Sequence, residues 1–197
     1  MRKTGSVRRA RAESSGGSKL PNREAVTPEE PGYEIPPRIL AMRGSGERVV
    51  FTNGCFDLLH PGHVSYLRAA RSLGDALVVA LNSDASVRRL KKGPDRPLLP
   101  EQDRAIMLVA LESVDAVVLF SEDTPVRLMR ELKPATYVKG GDYRVEDLLE
   151  AEVAAEIGAE VKILPFEPGY STTALIERIR SIDRASGARP ETSKIED

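Results

Sequence analysis

Asn53-Gly54-Cys55-Phe56-Asp57-Leu58-Leu59-His60-Pro61-Gly62-His63 decides how this chain is read. The stretch follows an apolar run, Val49-Val50-Phe51-Thr52, and enters a helical pattern that begins at Pro61. Two histidines three residues apart therefore stand where a strand turns into a helix. Proline is favoured at the first helical position, where its missing N–H costs nothing. Free backbone N–H groups and the positive end of the helix dipole make such a place a natural anion site. Imidazoles at i and i+3 share a helix face, so His60 and His63 can address one anion. The layout suits a nucleoside triphosphate better than a neutral substrate.

Outward from this turn the sequence alternates. Arg48–Thr52 reads as a strand, and Gly62–Leu73 as a helix with Val64, Leu67 and Ala70 at helical spacing. Ala76–Leu81 is continuously apolar, as a strand buried on both faces requires. A helix over Glu101–Glu112 starts behind Pro100, and Ala116–Phe120 is the third strand. Pro125–Leu132 is a helix ended by Pro134, and Thr136–Lys139 the fourth strand. Val145–Ile157 is a helix stopped by Gly158, Val161–Leu164 the fifth strand, and Thr173–Arg184 the last helix. Strand–helix alternation predicts an α/β fold: an open, Rossmann-like parallel five-stranded sheet with helices on both faces, in a single domain. In such sheets ligands bind beyond the C-terminal strand ends, at the switch in strand order.

Composition narrows the class. The 197 residues are 41% hydrophobic and 30% charged, as in a soluble globular domain. No apolar run is long enough to cross a bilayer, so no membrane association is expected. The single cysteine has no partner for an intrachain disulfide, which fits a reducing cytoplasm. A net charge of −1 predicts no bulk attraction to nucleic acid. Residues 1–23 carry seven Lys/Arg against Glu13 alone and almost no large apolar side chains, while Pro28, Pro31, Pro36 and Pro37 punctuate residues 24–37. Such a segment buries too little surface to offset its ordering entropy. Residues 1–37 are therefore expected to be a disordered basic and Pro-rich extension, 38–184 the folded domain, and 185–197 a disordered tail.

The motif residues resemble the nucleotidyltransferase superfamily with the H-x-G-H signature, through Gly54-x-Phe56-Asp57-x-x-His60-x-Gly62-His63. The resemblance continues through Asn82-Ser83-Asp84, Lys139-Gly140-Gly141-Asp142-Tyr143 and Ser171-Thr172-Thr173. Together these blocks look most like the D-glycero-β-D-manno-heptose 1-phosphate adenylyltransferases, which occur alone or joined to a heptose kinase. The chain has no room for a kinase domain, so the stand-alone form is expected. The resemblance implies transfer of AMP from ATP to the sugar phosphate, with Mg²⁺ neutralising the triphosphate and the leaving pyrophosphate. It implies His60, His63 and a lysine of the loop Arg88–Gly93 (Lys91 or Lys92, Lys92 favoured) as catalytic groups. It implies a nucleotide site from Asn53, Gly54, Cys55, Phe56, Asp57 and Gly62, with Arg104 reaching phosphates. Lys139, Gly140, Asp142 and Tyr143 would flank the base, and Ser171, Thr172 and Thr173 would hold the β- and γ-phosphates. A homo-oligomer, a dimer, is also expected.

Competing readings remain at this level. The histidines could be a cap and a half-buried side chain, or ligands of a transition metal with Asp57. A nucleophilic Cys55 lacks any third, orienting residue. Cytidylyltransferases of the glycerol phosphate type place an arginine shortly before the Ser-Thr-Thr block. Phe166–Tyr170 here has no basic residue, which disfavours a cytidylyltransferase acting on an alcohol phosphate. A non-catalytic nucleotide-binding module is the rival from another class.

Overall fold

In the computed structural model, residues 8–10, 24–27, 34–91, 93, 95–165, 167 and 169–186 are described. The core alternates strand and helix as the sequence predicts. The elements are α1 (Pro37–Gly44), β3 (Val49–Gly54), α2 (Pro61–Arg71), β4 (Ala76–Asn82), α3 (Asp84–Arg89), α4 (Glu101–Val109) and β5 (Ala116–Phe120). They continue as α5 (Val126–Leu132), β6 (Thr136–Gly140), α6 (Leu149–Ile157), β7 (Glu160–Leu164) and α7 (Thr172–Ser186). Two short strands precede them, β1 (Arg8–Ala10) and β2 (Glu24–Thr27). Among the described residues the sheet order is β1-β2-β5-β4-β3-β6-β7. All neighbours are parallel except β1 and β2.

The five predicted strands thus form the parallel core, β5-β4-β3-β6-β7. The chain starts this core at β3, builds outward through β4 to β5, then crosses back to β6 on the other side of β3. The order therefore reverses at β3, and the groove at its C-terminal end is the topological switch point. β3 ends at Gly54, so the motif turn opens at that groove.

Alternate residues of the strands feed separate cores. Val49, Phe51, Val78, Ala80, Val118 and Phe120 pack against Ile39 of α1, Leu128 and Leu132 of α5 and Val153 of α6. Val50, Leu77, Val79, Leu81, Val117 and Leu119 pack against Leu67 of α2 and Leu108 of α4. Burial on both faces explains why β4 reads as one apolar run.

Three sequence expectations are corrected. Residues 24–27, assigned to the extension without strand, form β2, which pairs in parallel with Ala116–Val118 of β5 and antiparallel with β1, since strand pairing needs only backbone partners. Asp84–Arg89 is a helix capped by Ser83, whose Oγ accepts from the Ser86 N–H at 3.2 Å. The expected helix over Val145–Ile157 divides into a 3₁₀ turn, Val145–Asp147, and α6. Most of the expected extension and tail lies outside the described residues.

Candidate active site

The groove at the switch point holds a cleft of about 330 Å³. Asn53, Gly54, Cys55, Phe56 and Asp57 form its floor, His63 and Tyr66 of α2 one wall, and Lys139, Gly140 and Tyr143 another. Beneath the floor, Tyr66 ties three elements together. Its hydroxyl donates to the Val138 carbonyl at 3.1 Å, so the Thr52 hydroxyl, 2.6 Å away, donates to it. Burial pushes the Tyr66 phenol far above its usual range, so it stays a neutral donor.

His60 is the N-cap of α2. Its Nδ1 accepts from the His63 N–H at 3.3 Å, and the two rings stack with centroids 3.7 Å apart. An accepting Nδ1 places the proton of the neutral imidazole on Nε2, leaving that N–H as a donor. Burial holds the His60 pKa below its ordinary value, against a smaller opposing effect of the backbone hydrogen bond. The ring thus caps the helix through one nitrogen and is left with a free donor on the other. Gly62 makes the arrangement possible, since a Cβ there would lie 3.0 Å from Tyr170 Cβ and 3.2 Å from His60 Nδ1.

A second helix start converges here. The Ser171 Oγ accepts from the Ala174 N–H at 3.0 Å, and the Thr172 hydroxyl donates to the Leu58 carbonyl at 3.5 Å. The Tyr170 ring stacks on His60 with centroids 6.2 Å apart, so the N-termini of α2 and α7 are neighbours. Among the described residues the N–H groups of Gly62, Thr172 and Thr173 have no hydrogen-bond partner in the protein. Two helix dipoles and their unpaired N–H groups meet beside the histidine pair, which is chemistry for a polyanion.

The remaining expected residues divide. Lys139 is held by the Glu150 carboxylate at 3.1 Å and by the Tyr137 hydroxyl at 3.2 Å, with Asn53 Oδ1 accepting from Tyr137 at 2.8 Å. Burial and the Glu150 charge drive the Tyr137 phenol far up. Asp57 lines the cleft, but its carboxylate is taken by Arg96 and by two backbone N–H groups of the following loop. Arg104, expected to reach phosphates, turns its guanidinium to the protein. It is 1% exposed, and donates to the Leu99 and Cys55 carbonyls and to Asp84. Asp142, Ser171 and Thr173 are exposed, and Lys92 lies outside the described residues. Cys55 is buried with its thiol 3.9 Å from Asn82 Oδ1, an amide that cannot serve as a base. No three His, Cys, Asp or Glu side chains among the described residues are grouped to hold a metal ion, and Asp57 is committed elsewhere.

The sequence reading gave no role to Tyr66, Asn82, Arg96, Asp123 or Glu150, all of which line the cleft, although Asn82 stood in one of its motif blocks. Two of them carried a signal. Tyr66 follows His63 by three residues, and Asn82 closes β4 at the same sheet edge as the motif turn.

Residues 51–178 match the family model described as cytidylyltransferase-like. The chain belongs to the cytidylyltransferase-like family. With the family goes the class of chemistry, and the chain is a nucleotidyltransferase domain. It is 52% identical over 162 residues to the "Bifunctional protein HldE" of Trichlorobacter lovleyi, covering 82% of this chain and 31% of that protein. It is 56% identical over 142 residues to the protein of the same name from Cronobacter sakazakii, covering 72% of this chain and 30% of that protein. The chain thus spans about a third of the length of these relatives. Among solved structures it resembles the lipopolysaccharide core biosynthesis protein from Thermoplasma volcanium, at 33% identity and a TM-score of 0.51. That match covers 62% of this chain and 98% of the other. No helix among the described residues is long and apolar enough to cross a membrane.

Proposed function

We propose that this domain transfers AMP from ATP to D-glycero-β-D-manno-heptose 1-phosphate, giving ADP-heptose and pyrophosphate in the cytoplasm. The observation that carries the reading is the meeting of the α2 and α7 N-termini beside the stacked His60–His63 pair, at the switch point of the sheet. The ordered motif blocks, and relatives and a neighbour whose names concern a bifunctional protein and lipopolysaccharide core synthesis, favour the heptose substrate.

A phosphate oxygen of the sugar attacks the α-phosphorus of ATP in line. The new O–P bond forms as the bond to the β-phosphate oxygen breaks, and pyrophosphate leaves with that electron pair. The attacking phosphate is already anionic, so no general base is required. The work of the protein is positioning and charge stabilisation. Nε2–H of His60 and the imidazole of His63 would meet charge growing on the α-phosphate, while the α7 N-terminus holds the outgoing phosphates.

Magnesium fits this cleft as a companion of the nucleotide. Asp57 and Glu150 are closed off by Arg96 and Lys139, whereas Asp123 is paired with Arg89 through Oδ1 only. One carboxylate plus substrate phosphates and water is an ordinary magnesium environment. Bound there, the ion would neutralise the triphosphate and the leaving pyrophosphate.

The test is pyrophosphate release with heptose 1-phosphate and magnesium across a panel of nucleotides. ATP is expected to react much faster than CTP. A clear preference for CTP overturns the adenylyl assignment while leaving nucleotidyl transfer in place. Binding of nucleotide with no turnover on any sugar or alcohol phosphate would make the domain a non-catalytic module.

A further inference from the structure

Two arginines press against the motif turn, and the structure gives them opposite jobs. Arg104 commits each of its three guanidinium nitrogens to the protein. Its Nε donates to the Leu99 carbonyl at 3.0 Å, Nη1 to the Cys55 carbonyl at 2.6 Å and Nη2 to Asp84 Oδ1 at 2.6 Å. Arg96 lines the cleft and is nearly as enclosed, with its side chain 11% exposed. Among the described residues its side chain makes one ion pair, Nε lying 2.9 Å from Oδ2 of an Asp57 carboxylate that is 0% exposed, at an angle that forms no hydrogen bond. Among the described residues the two terminal nitrogens of Arg96 make no hydrogen bond to the protein.

We propose that Arg96, not Arg104, is the arginine of this cleft that binds a substrate phosphate, with Asp57 as its positioning residue. The inference rests on the cleft being a nucleotidyl-transfer site, as argued above. A guanidinium carries five N–H donors and no acceptor, and it cannot shed its charge. Holding it in a mostly enclosed position with Nε buried and without a hydrogen bond is costly unless an anion completes the group. One carboxylate on Nε leaves the Nη fork open, and that fork matches two oxygens of a phosphoryl group. The supply of other cations in the cleft is thin, because Lys139 is already tied to Glu150 at 3.1 Å.

Asp57 is built to aim Arg96 rather than to touch substrate. Its Oδ1 accepts the backbone N–H groups of Leu98 and Leu99 at 2.7 and 3.0 Å. That fixes the chain just beyond Arg96, while Oδ2 holds Nε. The carboxylate therefore sets both the backbone and the rotamer from which the fork reaches the cleft. This accounts for an aspartate in the motif turn whose Oδ1 is spent on backbone N–H groups and whose Oδ2 faces the guanidinium.

The experiment measures binding of ATP, inorganic pyrophosphate and heptose 1-phosphate by calorimetry, with thermal melts of the ligand-free proteins alongside. Arg96→Gln is expected to weaken at least one of these ligands on the order of 10–100-fold, the scale of a charge-assisted pair of hydrogen bonds. Arg96→Lys keeps a charge opposite Asp57 and loses only the fork, so it decides the matter if the glutamine variant fails to fold. It is expected to weaken the same ligand severalfold with a small change in melting. Loss on ATP and pyrophosphate assigns Arg96 to the triphosphate, and loss on heptose 1-phosphate alone assigns it to the acceptor. Asp57→Asn is expected to weaken that same ligand, with no further loss when combined with Arg96→Gln, because both act through one fork. Unchanged affinities in the folded Arg96 variants, whatever their melting temperatures, overturn the proposal. So does a wild-type protein that binds none of the three probes. A wild-type protein that binds ATP through Arg96 yet releases no pyrophosphate with heptose 1-phosphate refutes the substrate assignment and leaves Arg96 in place. Normal turnover with unchanged affinities in the variants does the reverse.

Discussion

His60 does two things that single substitutions can separate. As N-cap its Nδ1 secures the start of α2, and its Nε2–H is left as the proposed donor to substrate. Replacing it by Ala is expected to lower stability by about 1 kcal/mol, the usual loss of a cap. It should also lower kcat on the order of 10²–10³, the usual loss of one transition-state donor. His60→Asn restores a capping oxygen without a donor at the imidazole's reach, so stability should return while kcat stays low. His63→Ala removes no cap and is expected to lower kcat alone. Steady-state kinetics and urea unfolding on the three variants check this, and normal kcat in all of them would sink the role given to the pair. The pH dependence has a definite sign. Burial keeps the folded-state pKa of His60 below 6.5, so the unfolded chain takes up the proton more readily. The ligand-free protein is therefore expected to hold its full His60-linked stability above about pH 6.5 and to lose it as the pH falls through and below that value. Unfolding titrations should show the slope in wild type and not in His60→Asn.

Elements were legible where packing imposes a period, and illegible where only backbone or a single side chain decides. β4 is buried along its whole length, its six positions Ala76–Leu81 are all apolar, and the run was visible. α3 spans six residues with one cap, too short for a period, and it emerged only with the structure. The site divides in the same way. The histidines, glycines and floor residues adjoin one another in sequence and were found together. Arg96, Asp123 and Glu150 reach the cleft from three separate loops or helices, so no local pattern marks them. For Arg104 the sequence shows a charge but not the three carbonyl or carboxylate oxygens that surround it. The turn from α2 to β4 gives an element-scale test. A Cβ at Gly74 would lie 2.4 Å from the Arg48 carbonyl oxygen and 2.7 Å from Val50 Cγ2, where backbone cannot yield cheaply. Gly74→Ala is expected to cost about 1–3 kcal/mol, as overpacking does. The site lies at the opposite end of β3, so kcat at 25 °C should be unchanged. A urea midpoint equal to wild type would show that the turn relaxes freely.

At the scale of the molecule, the sheet has a working end and a scaffolding edge. The cleft depends on β3, β4 and β6, which meet at the switch point. β1 and β2 extend the sheet beyond β5 on one side, away from the cleft, β2 pairing its backbone with Ala116–Val118 and β1 pairing with β2. Composition suggested that residues 1–37 contribute nothing to the fold, because it weighs side-chain burial and is blind to an edge strand that adds main-chain hydrogen bonds. The segment also leads into Ile35, which is 8% exposed and packs in the core with Ile39. Removing residues 1–30 spares Ile35 and α1 but deletes both outer strands. The truncated protein is expected to lose about 1–2 kcal/mol, or roughly 2–8 °C in melting temperature for a domain of this size. Its kcat and nucleotide affinity should match the full chain within about twofold, since nothing deleted reaches the switch point. A melting temperature equal to the full chain would show that β2 does not hold to β5 in solution. A large loss of kcat with little change in melting would place part of the basic segment at the cleft, against the geometry described for the sheet.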